Sequence, residues 1–255
     1  MRKLILFFYI TFFSIGAMAQ NCAFIYKSDG TYIRVDVADT ISFVAPPATG
    51  VENGYEWVDL GLSVKWATCN VGADSAHHFG NYYAWGETTP KETYTWDNYK
   101  WCTISAGDTI MTKYNYEGSY MDKLELDTED DAASMNMGGN WRMPTKGERL
   151  ELYEKCTFTW TENYNNTGVV GCIVTSNVEG YVGRSIFLPA AGMYFLTGLG
   201  NVGKGVYTWS SSRYSSGSNY DQCYNANNGP CMLKGELKNY YSKRVCGISV
   251  RAVCK

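Results

Sequence analysis

A succession of short apolar segments separated by glycine-rich turns is the feature that most constrains the fold of this chain. The 255 residues include 26 glycines and 21 tyrosines but only 6 prolines. Residues 32–37 are typical: Ile33 and Val35 fall on one face of an extended chain, and Arg34 and Asp36 fall on the other. Helix-period segments are few. The sequence therefore predicts a strand- and loop-rich α+β fold whose core is filled by aromatic side chains.

The first of these segments predict a small β-hairpin. Residues 23–26 and 32–37 have the composition of strands, and a turn containing Gly30 joins them. The following stretch begins with two prolines and has the composition of a linker. The predicted organisation is a hairpin unit over 20–45, a linker over 46–54 and a main domain over 55–255.

Five further strands and two helices are expected in the main domain. The alternation of apolar residues predicts strands over 58–64, 169–175, 185–188, 207–210 and 247–253. Thr128 and Thr145 are candidate helix caps, because each is followed three positions later by an acid, Asp131 and Glu148 respectively. The second helix is expected to run to Cys156.

The N-terminus has the three parts of a secretory signal peptide. Arg2 and Lys3 precede the apolar run 4–15, and an Ala-x-Ala pattern ends at Ala19. Spanning a bilayer needs about 20 apolar residues, which this run does not reach. We therefore predict a signal peptide over 1–19 that is cleaved after Ala19. The mature protein is expected to be exported, whether secreted, periplasmic or on the cell surface. No membrane insertion is expected after cleavage.

The charge pattern disfavours nucleic acid as a partner. The net charge is −3, and no basic run is longer than Lys243-Arg244. Binding to a phosphate backbone needs a clustered positive surface.

Nine cysteines lie beyond the signal peptide, and an exported protein reaches a compartment in which they can form disulfides. An odd number leaves at least one thiol free or paired between chains. Cys223 and Cys231 flank the turn-rich stretch 224–230 and are the one local disulfide candidate. The other pairings stay open, and some cysteines are expected to be buried as small apolar residues. No cysteine spacing indicates a zinc site.

Catalytic signatures are weak. Glu87 is the first candidate for a glycosidase carboxylate, but such chemistry needs two carboxylates, so a structural role is preferred. His77 and His78 are the two histidines; they lack an evident carboxylate partner and are expected at the surface. We predict no catalytic residue, no cofactor and no metal, and we interpret the chain as a non-enzyme.

Several blocks resemble the bacterial major paralogous domain family, abbreviated FISUMP. The opening block, over 55–73, begins Tyr-Glu-Trp-Val-Asp-Leu-Gly-Leu. Further blocks follow in the family's order at 83–88, 99–102, 130–133, 139–145, 186–192, 209–212 and 249–253. The chain departs from the family pattern at Asn115, where cysteine is usual, and at Ala252, where proline is usual.

This resemblance implies a C-type-lectin-like fold in an extracytoplasmic protein with no established enzymatic activity. The prolines here lack the flanking oxygen ligands of calcium-dependent lectins, so calcium-bridged sugar binding is disfavoured. We expect a binding protein for a glycan or a cell-surface partner. A structural envelope component and a carboxylate-dependent glycan-active enzyme are the alternatives.

Loops ahead of the last strand have the composition of an adaptable binding surface, rich in Tyr, Ser, Gly and Asn. The candidate ligand-binding residues there are Tyr214, Asn219, Tyr220 and Tyr224. Shielding of a core edge is the other interpretation of these residues. Ser75 and Thr109 lie in Asp-Ser/Thr-aliphatic triplets similar to an O-glycan acceptor motif of exported proteins in some gut bacteria.

Overall fold

A computed structural model describes residues 22–26, 31–36, 47–117, 120–121, 123–196, 198–214, 225–233 and 236–255. They belong to two compact units, and the chain passes from the first to the second between Pro46 and Pro47. In the first unit, strands β1 (Cys22–Tyr26) and β2 (Tyr32–Asp36) pair antiparallel, with Ile25 opposite Ile33. The predicted hairpin is thus confirmed.

The second unit is strand-rich, and its described part contains two α-helices, α1 (Ala132–Met137) and α2 (Lys146–Lys155). Its strands are β3 (Thr49–Glu52), β4 (Tyr55–Val58), β5 (Lys65–Asn70), β6 (Tyr82–Tyr83), β7 (Cys102–Ser105), β8 (Asp108–Met111), β9 (Tyr116–Glu117), β10 (Tyr120–Met121), β11 (Cys156–Thr161), β12 (Gly171–Ser176), β13 (Ser185–Pro189), β14 (Met193–Phe195), β15 (Gly198–Gly200), β16 (Gly205–Val206), β17 (Asn225–Leu233), β18 (Glu236–Lys243), β19 (Ile248–Ser249) and β20 (Arg251–Cys254). Short 3₁₀ helices lie at Trp96–Asn98, Thr128–Asp130 and Tyr164–Asn166. The predicted α+β, loop-rich composition is confirmed.

The largest sheet has four strands in the order β20-β5-β4-β3. Two three-stranded sheets, β11-β12-β13 and β16-β17-β18, and several two-stranded ribbons complete the unit. The last strand therefore pairs with β5 from the beginning of the unit.

The stretch 46–54 is not a linker throughout. Strand β3 lies within it and pairs with β4. The turn between them is Asn53-Gly54, and both residues have positive φ, 43° and 84°. Two consecutive left-handed residues give the tight turn that matches the twist of paired strands.

The predicted strand over 58–64 is also wrong, although Leu60 and Val64 are buried as the alternation implies. Strand β4 ends at Val58, and a bend follows. Asp59 Oδ1 accepts a hydrogen bond from the Gly61 amide at 2.9 Å, and Gly61 has φ 73°. This side-chain turn replaces the ladder hydrogen bonds of a strand.

One helix cap is confirmed and the other is wrong. Thr145 caps α2, since its Oγ1 accepts from the Glu148 amide at 3.2 Å while Glu148 accepts from the Thr145 amide at 2.8 Å. The helix ends at Lys155, and Cys156 already belongs to β11. Thr128 begins only a 3₁₀ turn; Asp131 caps α1 by accepting from the Ser134 amide at 2.9 Å.

Three of the later strands shift or split. The strand predicted over 169–175 is β12, that over 185–188 is β13, and that over 247–253 divides into β19 and β20. Val250 separates the last two, because its carbonyl accepts from the Val71 amide at 2.9 Å. Residues 207–210 are not a strand; β16 ends before them, and Thr208 makes a single bridge to Ser249.

Tryptophan side chains link the core to the backbone around it. The indole N–H of Trp85 donates to the carbonyl of Ser210, that of Trp141 to Glu52 and that of Trp209 to Tyr83, at 2.8–2.9 Å. All three rings are almost fully buried. Each ring therefore fills the core and also satisfies a carbonyl of a distant segment.

Thr145→Ala is expected to lower the free energy of unfolding by about 1 kcal/mol, because it removes one half of the capping box. Urea unfolding followed by tryptophan fluorescence measures the effect. Thr103→Ala, at an exposed position of β7, is the control and should change stability by less than about 0.5 kcal/mol. Equal effects of the two variants would contradict the role of the cap.

None of the helices in the described part of the chain combines the length and apolar character needed to cross a membrane.

Candidate functional site

Six of the described cysteines are unpaired thiols, which bears on the predicted disulfides. Cys69 and Cys102 are half-buried, and four more are buried: Cys156, Cys172, Cys246 and Cys254. Burial raises the pKa of Cys172 to about 12 and that of Cys156 to about 11. These thiols are expected to be unreactive and to pack as small apolar groups.

The Cys223–Cys231 disulfide stays a prediction, because Cys223 lies outside the described residues. The turn-rich stretch between the two cysteines has a different structure from the one expected. From Asn225 onward it is strand β17, which pairs with β18 around a bulge at Asn227/Gly229.

Of the four residues predicted to bind a ligand, Tyr214 is described, and Asn219, Tyr220 and Tyr224 lie outside the described residues. The Tyr214 ring packs against the ring of Tyr241, with centroids 4.3 Å apart. Tyr241 is 44% exposed.

Glu87 is a buried structural carboxylate. Its Oε1 accepts from the Lys100 amide at 2.7 Å, and Lys91 Nζ lies 2.8 Å from Oε2. Because these donors already engage both oxygens, the side chain has little capacity left for a substrate. The contacts therefore agree with the structural role preferred from the sequence.

The two predicted O-glycan acceptors are both half-buried. Ser75 lies in the loop after β5, and its Oγ is 2.7 Å from His77 Nδ1. Thr109 lies on β8.

A concave surface lies beside the end of β5 in the described part of the chain. It consists of two adjoining cavities of about 380 and about 530 Å³, which share Tyr55, Ala73, Asp74 and Met137. Such volumes are in the range of small-ligand sites. We call it the Tyr55 groove and define it by Tyr55, Glu56, Cys69, Asp74, His78 and Asn136.

Local turns build this groove. The Asn53-Gly54 turn brings Tyr55 to the beginning of β4, and Asn53 Nδ2 donates to the Met137 carbonyl at 2.5 Å, which attaches the turn to the end of α1. After β5 the chain turns at Gly72, which has φ 81°. This left-handed conformation favours glycine, and a Cβ there would also lie 2.4 Å from the end of the Asn81 side chain.

Tyr55 is the exposed aromatic side chain of the groove. It is 39% exposed, and its hydroxyl donates to the Asn136 carbonyl at 3.3 Å. Asn136 is held in turn, because its amide nitrogen donates to the carbonyls of Ala132 and Thr88 at 2.7 and 2.9 Å. The ring is thus restrained at its hydroxyl end and accessible beside the cavity.

The expectation that the histidines lack a carboxylate partner is wrong. His78 Nδ1 lies 2.5 Å from Asp74 Oδ1, because the turn closed by the His78 amide and the Ser75 carbonyl, at 3.0 Å, brings the two side chains together. The hydrogen bond from His78 lowers the pKa of Asp74. Asp74 and His78 are four residues apart in a loop. Such a spacing predicts a side-chain contact only within a helix, so the sequence did not indicate this pair.

The arrangement is not that of a nucleophile, a base and an orienting acid in one chain of hydrogen bonds. Ser75 bonds to His77, whereas Asp74 bonds to His78. The two imidazole rings make an edge contact at 4.4 Å. The carboxylate therefore orients a different histidine from the one that contacts the hydroxyl.

The Tyr55 groove is acidic. Glu56 and Asp74 line it, and the described residues that line it include neither lysine nor arginine. Asp74 is 86% exposed and His78 is 54% exposed, so both can contact a ligand. Within the described part of the chain, no group of three or more His, Cys, Asp or Glu side chains is placed to hold a metal ion.

Comparison with known proteins adds no relative: no family model matches the chain, and no curated protein or solved structure is significantly similar to it.

Proposed function

We propose that this chain is an exported, non-catalytic protein that binds glycans through the Tyr55 groove. The observation that carries the proposal is an accessible aromatic ring in a groove that also presents carboxylate, imidazole and amide groups. A sugar ring has C–H groups on its faces and hydroxyls around its edge. An aromatic face can pack on the former, and polar side chains can bond to the latter.

The resemblance to the FISUMP family is compatible with this role, because it implies an extracytoplasmic protein with no established enzymatic activity. We further propose that the main domain has the C-type-lectin-like fold. The α+β composition and the pairing of the last strand with β5 support that assignment. Binding is proposed to be independent of calcium.

The experiment is a glycan array probed with the purified protein with and without calcium. We expect binding to a defined set of glycans that is unchanged by chelator. Tyr55→Ala should weaken it at least about tenfold, a loss of about 1.4 kcal/mol or more. Tyr55→Phe keeps the ring and should bind nearly as well.

Tyr153→Ala is the matched control, because Tyr153 is 42% exposed but lies on α2 outside the groove. Binding that survives Tyr55→Ala would contradict the groove as the site. Turnover of a bound glycan would contradict a non-catalytic role. A disulfide-linked dimer on non-reducing gels, without glycan binding, would favour the structural envelope alternative.

A further inference from the structure

We propose that the glycan bound in the Tyr55 groove carries free, protonated amines, as in a de-N-acetylated amino sugar. This proposal rests on the proposed function and names the ligand class for the same groove.

Charge complementarity is the first support. Glu56 and Asp74 line the groove, and its described lining contains neither lysine nor arginine. The Asp74 carboxylate is contacted at Oδ1 by His78 Nδ1 and also accepts a hydrogen bond from its own backbone amide. Its second oxygen and its large exposed fraction of 86% leave it able to pair with a ligand cation.

The position of Tyr55 is the second support. A cation is attracted to the face of an aromatic ring. The same sheet already uses this contact elsewhere, where Lys65 Nζ lies 4.5 Å from the centroid of the Trp57 ring. Tyr55 and Asp74 are shared by both cavities, so one ligand in the groove meets a ring and a carboxylate together.

A neutral glycan would use the ring and the hydrogen bonds but would leave Glu56 without a positive partner and Asp74 with His78 alone. An anionic glycan would be repelled by them. An amine-bearing glycan gains the ring contact and one exposed ion pair in addition to the contacts of the neutral sugar. The two gains together correspond to about tenfold in affinity.

The test is isothermal titration of the purified protein with chitosan tetrasaccharide and with chitin tetrasaccharide at mildly acidic pH, where the amines are protonated. These oligomers share a backbone and differ in the N-acetyl group. We expect the chitosan oligomer to bind about tenfold more tightly, and its affinity to fall as salt is raised. Asp74→Asn should bring the ratio of the two affinities close to one.

Asp108→Asn is the matched control, because Asp108 is exposed and lies outside the groove, on β8. Equal or tighter binding of the chitin oligomer would overturn the amine preference and keep the proposed function. A tetralysine peptide that binds as tightly as the chitosan oligomer would show that the groove selects cations rather than glycans. No binding of either oligomer overturns the preference, and the array then decides separately whether the proposed function fails.

Discussion

Arg251→Met is expected to lower the free energy of unfolding by about 4 kcal/mol. Arg251 is fully buried, and its guanidinium donates to four neutral acceptors: Asn70 Oδ1 and the carbonyls of Ala67, Thr68 and Phe187, at 2.9–3.0 Å. Burial lowers its pKa to about 10, so it is still charged at neutral pH. The side chain of Arg251, on β20, is thus hydrogen-bonded to both β5 and β13.

Two effects of the substitution oppose each other. Removing a buried charge recovers its desolvation cost, and replacement of a complete buried ion pair by apolar groups can even stabilise a protein. Here three of the four acceptors stay buried after the substitution, and each unsatisfied one costs about 1–3 kcal/mol. The second effect is therefore expected to be the larger.

Urea unfolding monitored by tryptophan fluorescence gives the measurement. Arg184→Met is the matched control, because Arg184 also donates to two carbonyls, of Pro47 and Asp59, but is only half-buried. Water can replace the Arg184 guanidinium at these carbonyls, so we expect the free energy of unfolding to fall by about 1 kcal/mol or less. Similar losses at the two positions would contradict the account of Arg251 as a buried cross-link.

The second large effect is expected at Asp130, where Asp130→Asn should cost about 3 kcal/mol at neutral pH. The carboxylate is 1% exposed and accepts from Lys113 Nζ at 2.6 Å, the Tyr114 hydroxyl at 2.7 Å and Lys100 Nζ at 3.0 Å. The substitution leaves these donors with a neutral amide. This cost lies at the lower end of the range for breaking a buried ion pair, because both lysines are partly exposed and can be solvated again.

The same cluster predicts how stability depends on pH. Burial alone would raise the pKa of Asp130, but the hydrogen bonds from Lys113, Tyr114 and Lys100 outweigh it and lower the pKa. Hydrogen bonds from Lys123 and Lys113 lower the pKa of Asp127 to about 2. A carboxyl whose folded pKa lies below its unfolded value of about 3.9 stabilises the fold above that value and loses this contribution as the pH falls through the folded pKa.

Stability of the unsubstituted protein should therefore fall steeply between about pH 4 and about pH 2. The free energy of unfolding of Asp130→Asn should be lower at neutral pH and should fall less steeply as the pH is lowered. The exposed-site control Asp108→Asn should show the same pH dependence as the unsubstituted protein. Denaturant midpoints measured across this range give the slopes. Identical slopes for the parent and Asp130→Asn would contradict the predicted protonation of Asp130.

Local signals in the sequence predicted the elements whose cause is local. The capping box at Thr145 satisfies helix-end amides by itself, so the pattern was sufficient to predict the cap of α2. Asn53-Gly54 carried an equally local hairpin signal, but the neighbouring prolines favoured a linker instead. The strand predicted over 58–64 failed because a single Asp59–Gly61 turn breaks the ladder while leaving the apolar side chains buried.

The candidate site was much less predictable, because its parts come from separate segments. Tyr55 follows a hairpin turn, Asp74 and His78 lie in a loop after β5, and Asn136 lies at the end of α1. Only the fold brings these residues together. The Asp74–His78 hydrogen bond depends on a turn that the composition of the loop does not specify.

The central claim is that the Tyr55 groove binds a glycan, and an NMR titration tests it most directly. Amide resonances are followed while a glycan identified on the array is added. We predict that the largest shifts occur at Tyr55, Asp74, His78 and Asn136, and that Tyr55→Ala abolishes them. Shifts centred instead on Tyr214 and Tyr241, or shifts that survive Tyr55→Ala, would contradict the claim.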